Sequence, residues 1–116
     1  MFIFLFFINL FIMTVYNEDC IYKHWTHSRE EDTDDKKVYR PSTFEFPQSR
    51  GRDGFEIKEN GEFILYTVGP TDKPEKIFGN FTIDSNKLNI ELVSMQKSYT
   101  MTILSCDENR LIIQKK

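Results

Sequence analysis

From residue 54 onward the chain alternates between apolar and polar positions with a period of two, the pattern of strands that bury one face. Phe55 and Ile57 alternate with Glu56 and Lys58, and Phe63 and Leu65 with Glu62, Ile64 and Tyr66. Ile77, Gly79, Phe81 and Ile83 alternate with Phe78, Asn80 and Thr82, and Leu88, Ile90 and Leu92 with Asn89 and Glu91. Ser98–Ser105 and Arg110–Lys115 read as two further strands whose register the pattern leaves open. Upstream, Cys20–His27 is rich in β-formers, and Val38-Tyr39-Arg40 makes a short strand ended by Pro41, which has no N–H for a ladder. No stretch carries a 3.6-residue period, so little helix is expected.

Charge selects a register at the Asn60-Gly61 turn. A two-residue loop would oppose Glu59 to Glu62. A three-residue loop of Glu59, Asn60 and Gly61, with Gly61 at positive φ, opposes Lys58 to Glu62 instead and is favoured. Opposite charges, Asp84 and Lys87, likewise face each other across the Ser85-Asn86 turn. Eight short strands joined in order predict an all-β protein, an eight-stranded antiparallel up-and-down barrel. Its inward candidates are Trp25, Phe55, Ile57, Phe63, Leu65, Ile77, Phe81, Ile83, Leu88, Ile90, Leu92, Tyr99, Met101, Ile103, Leu111 and Ile113. A barrel of this size is filled by side chains or holds one small ligand; so many large residues favour a filled interior, or a shallow pocket at one mouth.

The 116 residues suffice for one domain, taken as residues 20–116, behind an apolar leader and linker of residues 1–19. The first twelve residues carry no charge and hold five of the eleven phenylalanines. They are too short to span a bilayer, which needs about 20 apolar residues. Two readings compete: a signal peptide, implying secretion, or a segment upstream of a true start at Met13, implying a cytoplasmic protein. A net charge of −3 provides no basic face for nucleic acid.

In a strict meander odd strands run one way and even strands the other. Cys20, opening the first strand, and Cys106, closing the seventh, then fall at opposite ends, at least roughly 9–10 Å apart sideways. A disulfide needs Cα atoms within about 7 Å, so none is expected. The same rule places the acidic segment 28–37, with Glu30, Glu31, Asp32, Asp34 and Asp35, at the mouth opposite the long connection bearing Arg50, Gly51 and Arg52. Asp53 and Asp72 become the expected partners of those arginines.

Candidate chemistry is sparse. Arg50, Gly51 and Arg52, joined by Arg40 at the end of the second strand, present guanidinium forks and backbone N–H groups suited to an anion. The alternative is local pairing of those arginines. Trp25 is either a ligand-stacking residue or a core plug. Cys20, His24, His27 and Glu30 have metal-ligand chemistry, but His24 and His27 point to opposite faces of a strand, so no metal or other cofactor is expected. No nucleophile–base pair or Gly-rich phosphate loop is present, and the Asn80-Phe81-Thr82 glycosylation pattern falls inside a strand. The outward strip Ile64, Tyr66, Val68 and Phe78 is a candidate seat for a protein partner.

The strand count, the sequential connections and a Trp in the first strand resemble the lipocalin-like (calycin) superfamily. Its Gly-x-Trp is replaced here by Lys23-His24-Trp25, and Arg110 opens the last strand rather than closing it. The segments Trp25-Thr26-His27-Ser28, Tyr39-Arg40-Pro41, Phe46-Pro47 and Ser49-Arg50-Gly51-Arg52, followed by Gly54-Phe55-Glu56, also resemble small bacterial proteins of unknown function. The first resemblance implies a barrel fold, and the second a fold without an activity; the long Arg-bearing connection on such a barrel is the reason to expect a non-enzymatic protein that binds a small anionic or amphipathic ligand at one mouth.

Overall fold

The structure is a computed structural model and describes residues 18–48, 51–69 and 73–115. A 3-10 turn, Glu18–Ile21, leads into β1 (His24–His27), which is followed by the 3-10 turn Arg29–Glu31 and β2 (Lys36–Pro41). Then come β3 (Gly54–Ile57), β4 (Glu62–Val68), β5 (Pro74–Asp84) and β6 (Lys87–Leu92). A third 3-10 turn, Val93–Met95, precedes β7 (Lys97–Cys106) and β8 (Leu111–Gln114). The strands close an eight-stranded antiparallel barrel, as the alternation predicts. All sixteen inward candidates lie in the core cluster or pack against it, joined by Ile21 and Tyr39.

The hairpin register chosen by charge is the one observed. Ile57 pairs with Phe63, and the Lys58 N–H donates to the Glu62 carbonyl at 3.0 Å. Gly61 stands at φ 95°, where a side chain would be strained, and Lys58 Nζ lies 3.6 Å from Glu62 Oε1.

The order around the barrel departs from a strict meander at one place: β1 lies between β2 and β3, antiparallel to both. Strands β2 and β3 are therefore parallel to each other. Parallel strands cannot be joined by a hairpin and need a crossover of about a dozen residues. The connection 42–53 is that crossover; its described residues, 42–48 and 51–53, lead from the end of β2 at the lower mouth to the start of β3 at the upper mouth, with 42–48 outside the filled interior. Gly54 sits where β3 meets β1; a Cβ there would collide with the Trp25 carbonyl.

This crossover reverses the parity of every later strand and overturns two expectations together. First, β7 ends at the mouth where β1 begins, and Cys20 and Cys106 form a disulfide with Cα atoms 6.2 Å apart. The lateral gap closes because Cys20 and Ile21 are not part of β1, where the strand reading placed them; they belong to the turn Glu18–Ile21. That 3-10 turn lies across the lower mouth, with Ile21 fully buried. Second, the end of the crossover and the acidic segment share the upper mouth. Arg52 therefore pairs with Glu30 rather than lying opposite it.

The β7–β8 register, left open by the pattern, contains a shift between Ile103 and Ser105. Ile103 faces the core, and beyond the extra residue Cys106 does so as well, which breaks the period of two.

The lower barrel is solid. Trp25, Phe63, Leu88 and Leu111 are fully buried, and the Trp25 indole N–H donates to the Ile21 carbonyl at 3.0 Å. Each such side chain stabilises the fold by about 1.5–3 kcal/mol.

Candidate functional site at the upper mouth

The upper mouth collects the end of β1, the starts of β2, β3 and β7, and the ends of β4 and β8. A cavity of about 330 Å³ opens there. Its walls are apolar and aromatic: Tyr39, Phe55, Leu65, Tyr99, Met101 and Ile113. Lys37, Asp53 and Lys115 supply charge around it. Tyr39 tilts against Phe55 with ring centroids 4.7 Å apart, and Phe55 stacks on Phe63 at 5.6 Å, so an aromatic ladder leads from the cavity into the packed core. Burial pushes the Tyr99 phenol up to about 12 and raises Tyr39 as well, so both are protonated donors near neutral pH.

Beside the cavity a polar cluster ties three segments together. His27, the inward last residue of β1, stacks on Tyr39 at 5.0 Å. Its Nε2 lies 2.9 Å from Asp32 and its Nδ1 3.4 Å from Asp53. A carboxylate at each nitrogen favours the imidazolium, the form in which both nitrogens donate. The His27 pKa is raised, first by the hydrogen bond with Asp53 and then by Asp32, against burial; the same bond holds Asp53 below its ordinary value. Asp32 also accepts from the Val38 N–H at 2.9 Å, which fixes the acidic segment on β2.

The arginines named from sequence are held by carboxylates. Arg52 donates to both oxygens of Glu30, at 2.9 and 2.6 Å, and also to the carbonyls of His27 and Pro47. Its guanidinium lies over the Phe46 ring, and its side chain is 8% exposed. Arg40 makes the same fork to Glu31, at 2.8 Å on each arm, and lies over Phe44. These bonds lower Glu30 and Glu31 to about 2. Local pairing, the alternative to anion binding, describes Arg40 and Arg52, although their partners come from the acidic run. The Gly51 carbonyl accepts from Arg29 at 3.2 Å, and Gly51 and Arg52 line a small outer groove with His24, Tyr66 and Val68. Arg50 and Asp72 lie outside the described residues. Trp25 is fully buried as a core plug and is not among the residues lining the upper-mouth cavity.

The metal-ligand candidates separate. Cys20 is in the disulfide, His24 stacks outward on Tyr66 at 4.3 Å, and both nitrogens of His27 are engaged. The outward apolar strip is partly covered: Ile64 is 5% exposed and Tyr66 lies under His24, whereas Phe78 remains 53% exposed. Sequence reasoning missed Tyr39, Lys37 and His27 as residues of this mouth. The signal was the length of the connection after Pro41, which suits a crossover and would have moved the mouth.

Searches of protein-family models, curated proteins and solved structures return no match to this chain.

Proposed function

We propose that this protein is a non-enzymatic, lipocalin-like binding barrel that takes a small amphipathic ligand at its upper mouth. The observation behind this reading is the aromatic-lined cavity of about 330 Å³ above an otherwise solid core. A barrel built only for stability would fill that space, since each buried large side chain adds about 1.5–3 kcal/mol. Apolar walls with a few polar groups at the rim are the usual make-up of a small-molecule site. The anionic part of the ligand is assigned to this mouth rather than to Arg40 and Arg52, whose forks are occupied. The Cys20–Cys106 bridge favours the secreted alternative, because structural disulfides persist in oxidising compartments.

The test is a thermal-shift and native mass-spectrometry screen of small amphiphiles against the wild type and Leu65→Trp, which fills the cavity. Stabilisation of the wild type that disappears in a folded Leu65→Trp protein is expected. No binder among the amphiphiles, or binding unchanged by the filled cavity, would overturn the proposal. The partner-binding alternative rests on exposed Phe78 and requires that Phe78→Glu abolish an association detectable by light scattering or pull-down.

A further inference from the structure

The shape and electrostatics of the upper mouth narrow the ligand class, on the premise that this mouth is the binding site. We infer that it accepts a compact aromatic monocarboxylate, with the ring against Tyr39, Tyr99 and Met101 and the carboxylate at Lys37.

Size comes first. About 330 Å³ is near the lower end for ligand pockets, roughly 300–1,000 Å³. Below it Trp25 and Phe63 are fully buried and leave no channel for an extended acyl chain.

The wall favours a ring. The ladder Tyr39, Phe55 and Phe63 ends at the cavity, and a ligand ring placed there extends it in the tilted or offset geometry that aromatic pairs prefer. Met101 adds a polarisable sulfur suited to a ring edge.

The rim selects the charge. Three charged side chains line the cavity: Lys37, Lys115 and Asp53. Asp53 is engaged by the His27 imidazolium, and Lys115 donates to the Thr33 carbonyl at 2.9 Å. The Lys37 side chain has no hydrogen bond or ion pair among the described residues, although its field reaches Asp53. A ligand carboxylate gives that ammonium a counter-ion without displacing an existing pair. The Tyr39 and Tyr99 hydroxyls, also without hydrogen-bond partners among the described residues, are protonated donors for its oxygens.

Isothermal titration of 3-phenylpropionate, its neutral amide and octanoate, against the wild type and Lys37→Met, tests the assignment. The acid is expected to bind about tenfold more tightly than the amide, the worth of one charge-assisted hydrogen bond at a partly exposed site. Lys37→Met, checked for an unchanged circular-dichroism spectrum, should bring the acid to the level of the amide and leave the amide unaffected. Octanoate should bind more weakly than the aromatic acid. Equal binding of acid and amide, or an acid affinity untouched by Lys37→Met, overturns the carboxylate assignment. Tighter binding of octanoate overturns the aromatic one. If none of the three binds while other amphiphiles in the broader screen do, the ligand class falls and the binding function stands. If nothing in that screen binds, both fall.

Discussion

The disulfide offers the sharpest test of the fold, because it exists only if the 42–53 connection crosses from one mouth to the other. Cys20 and Cys106 are separated by 86 residues, so the bridge closes almost the whole domain into one loop. In the chain-entropy account, closing a loop of that length removes about 15 cal/mol/K from the unfolded ensemble, or about 4.6 kcal/mol at 25 °C. Losses for native disulfides run to about 2–5 kcal/mol. A loss of about 3–4 kcal/mol is therefore expected, a large share of the 5–15 kcal/mol typical of a folded domain. At about 4–8 °C per kcal/mol for a domain of this size, the melting temperature should fall by roughly 15–25 °C. The barrel should still form, because every strand pairs on both sides without help from the bridge. The assay is urea and thermal unfolding of oxidised wild type, reduced wild type and the double variant Cys20→Ser, Cys106→Ser. Reduced wild type isolates the cross-link from any packing effect of the serines. Two thiols titrating in the native, unreduced protein would refute the strand order. Equal stability of oxidised and reduced protein would refute the loop-closure reasoning.

Four further outcomes are expected. In an NMR titration His27 should lose its proton above the ordinary histidine value near 6.5 and His24, partly desolvated against Tyr66, below it; the reverse order would contradict the two-carboxylate bridge. Because the folded pKa of His27 is raised, its stabilising contribution is complete below the unfolded value near 6.5 and is lost as pH rises through the folded value, so wild type should lose stability over that window and His27→Gln should not. Gly61→Ala, forced to φ 95°, should cost about 1–2 kcal/mol in urea unfolding, and an unchanged midpoint would argue against the three-residue turn. Trp25→Phe, which removes the indole donor from the Ile21 carbonyl while the Lys23 N–H still donates to it at 2.8 Å, should cost about 0.5–1.5 kcal/mol beyond the lost volume in urea unfolding, and a loss no larger than the volume change accounts for would argue against the indole bond.

Much of this fold was legible from local rules. Period-two alternation named the core face of β3 to β6, because a half-buried strand leaves that pattern in sequence whatever its neighbours are. The β3–β4 register followed from the cost of opposing Glu59 to Glu62, a contact between residues three apart. The β7–β8 register did not follow, because the bulge near Leu104 interrupts the alternation on which such a reading depends. Tyr39 escaped notice as a core residue because its strand ends at Pro41, leaving too few positions to show a period.

The sequence by itself determined a closed β-barrel, sixteen of its inward residues and the turn at Gly61, since each depends on side-chain alternation or on charges a few residues apart. Only the tertiary structure decided that β1 lies between β2 and β3. That choice is between a connection that turns back and one that crosses the barrel, and both leave every strand with the same alternating pattern. It exchanges the mouths of all later strands. Cys20 thereby meets Cys106, the acidic segment neutralises Arg52, and the cavity opens among Tyr39, Tyr99 and Lys37, where distant segments of the chain converge.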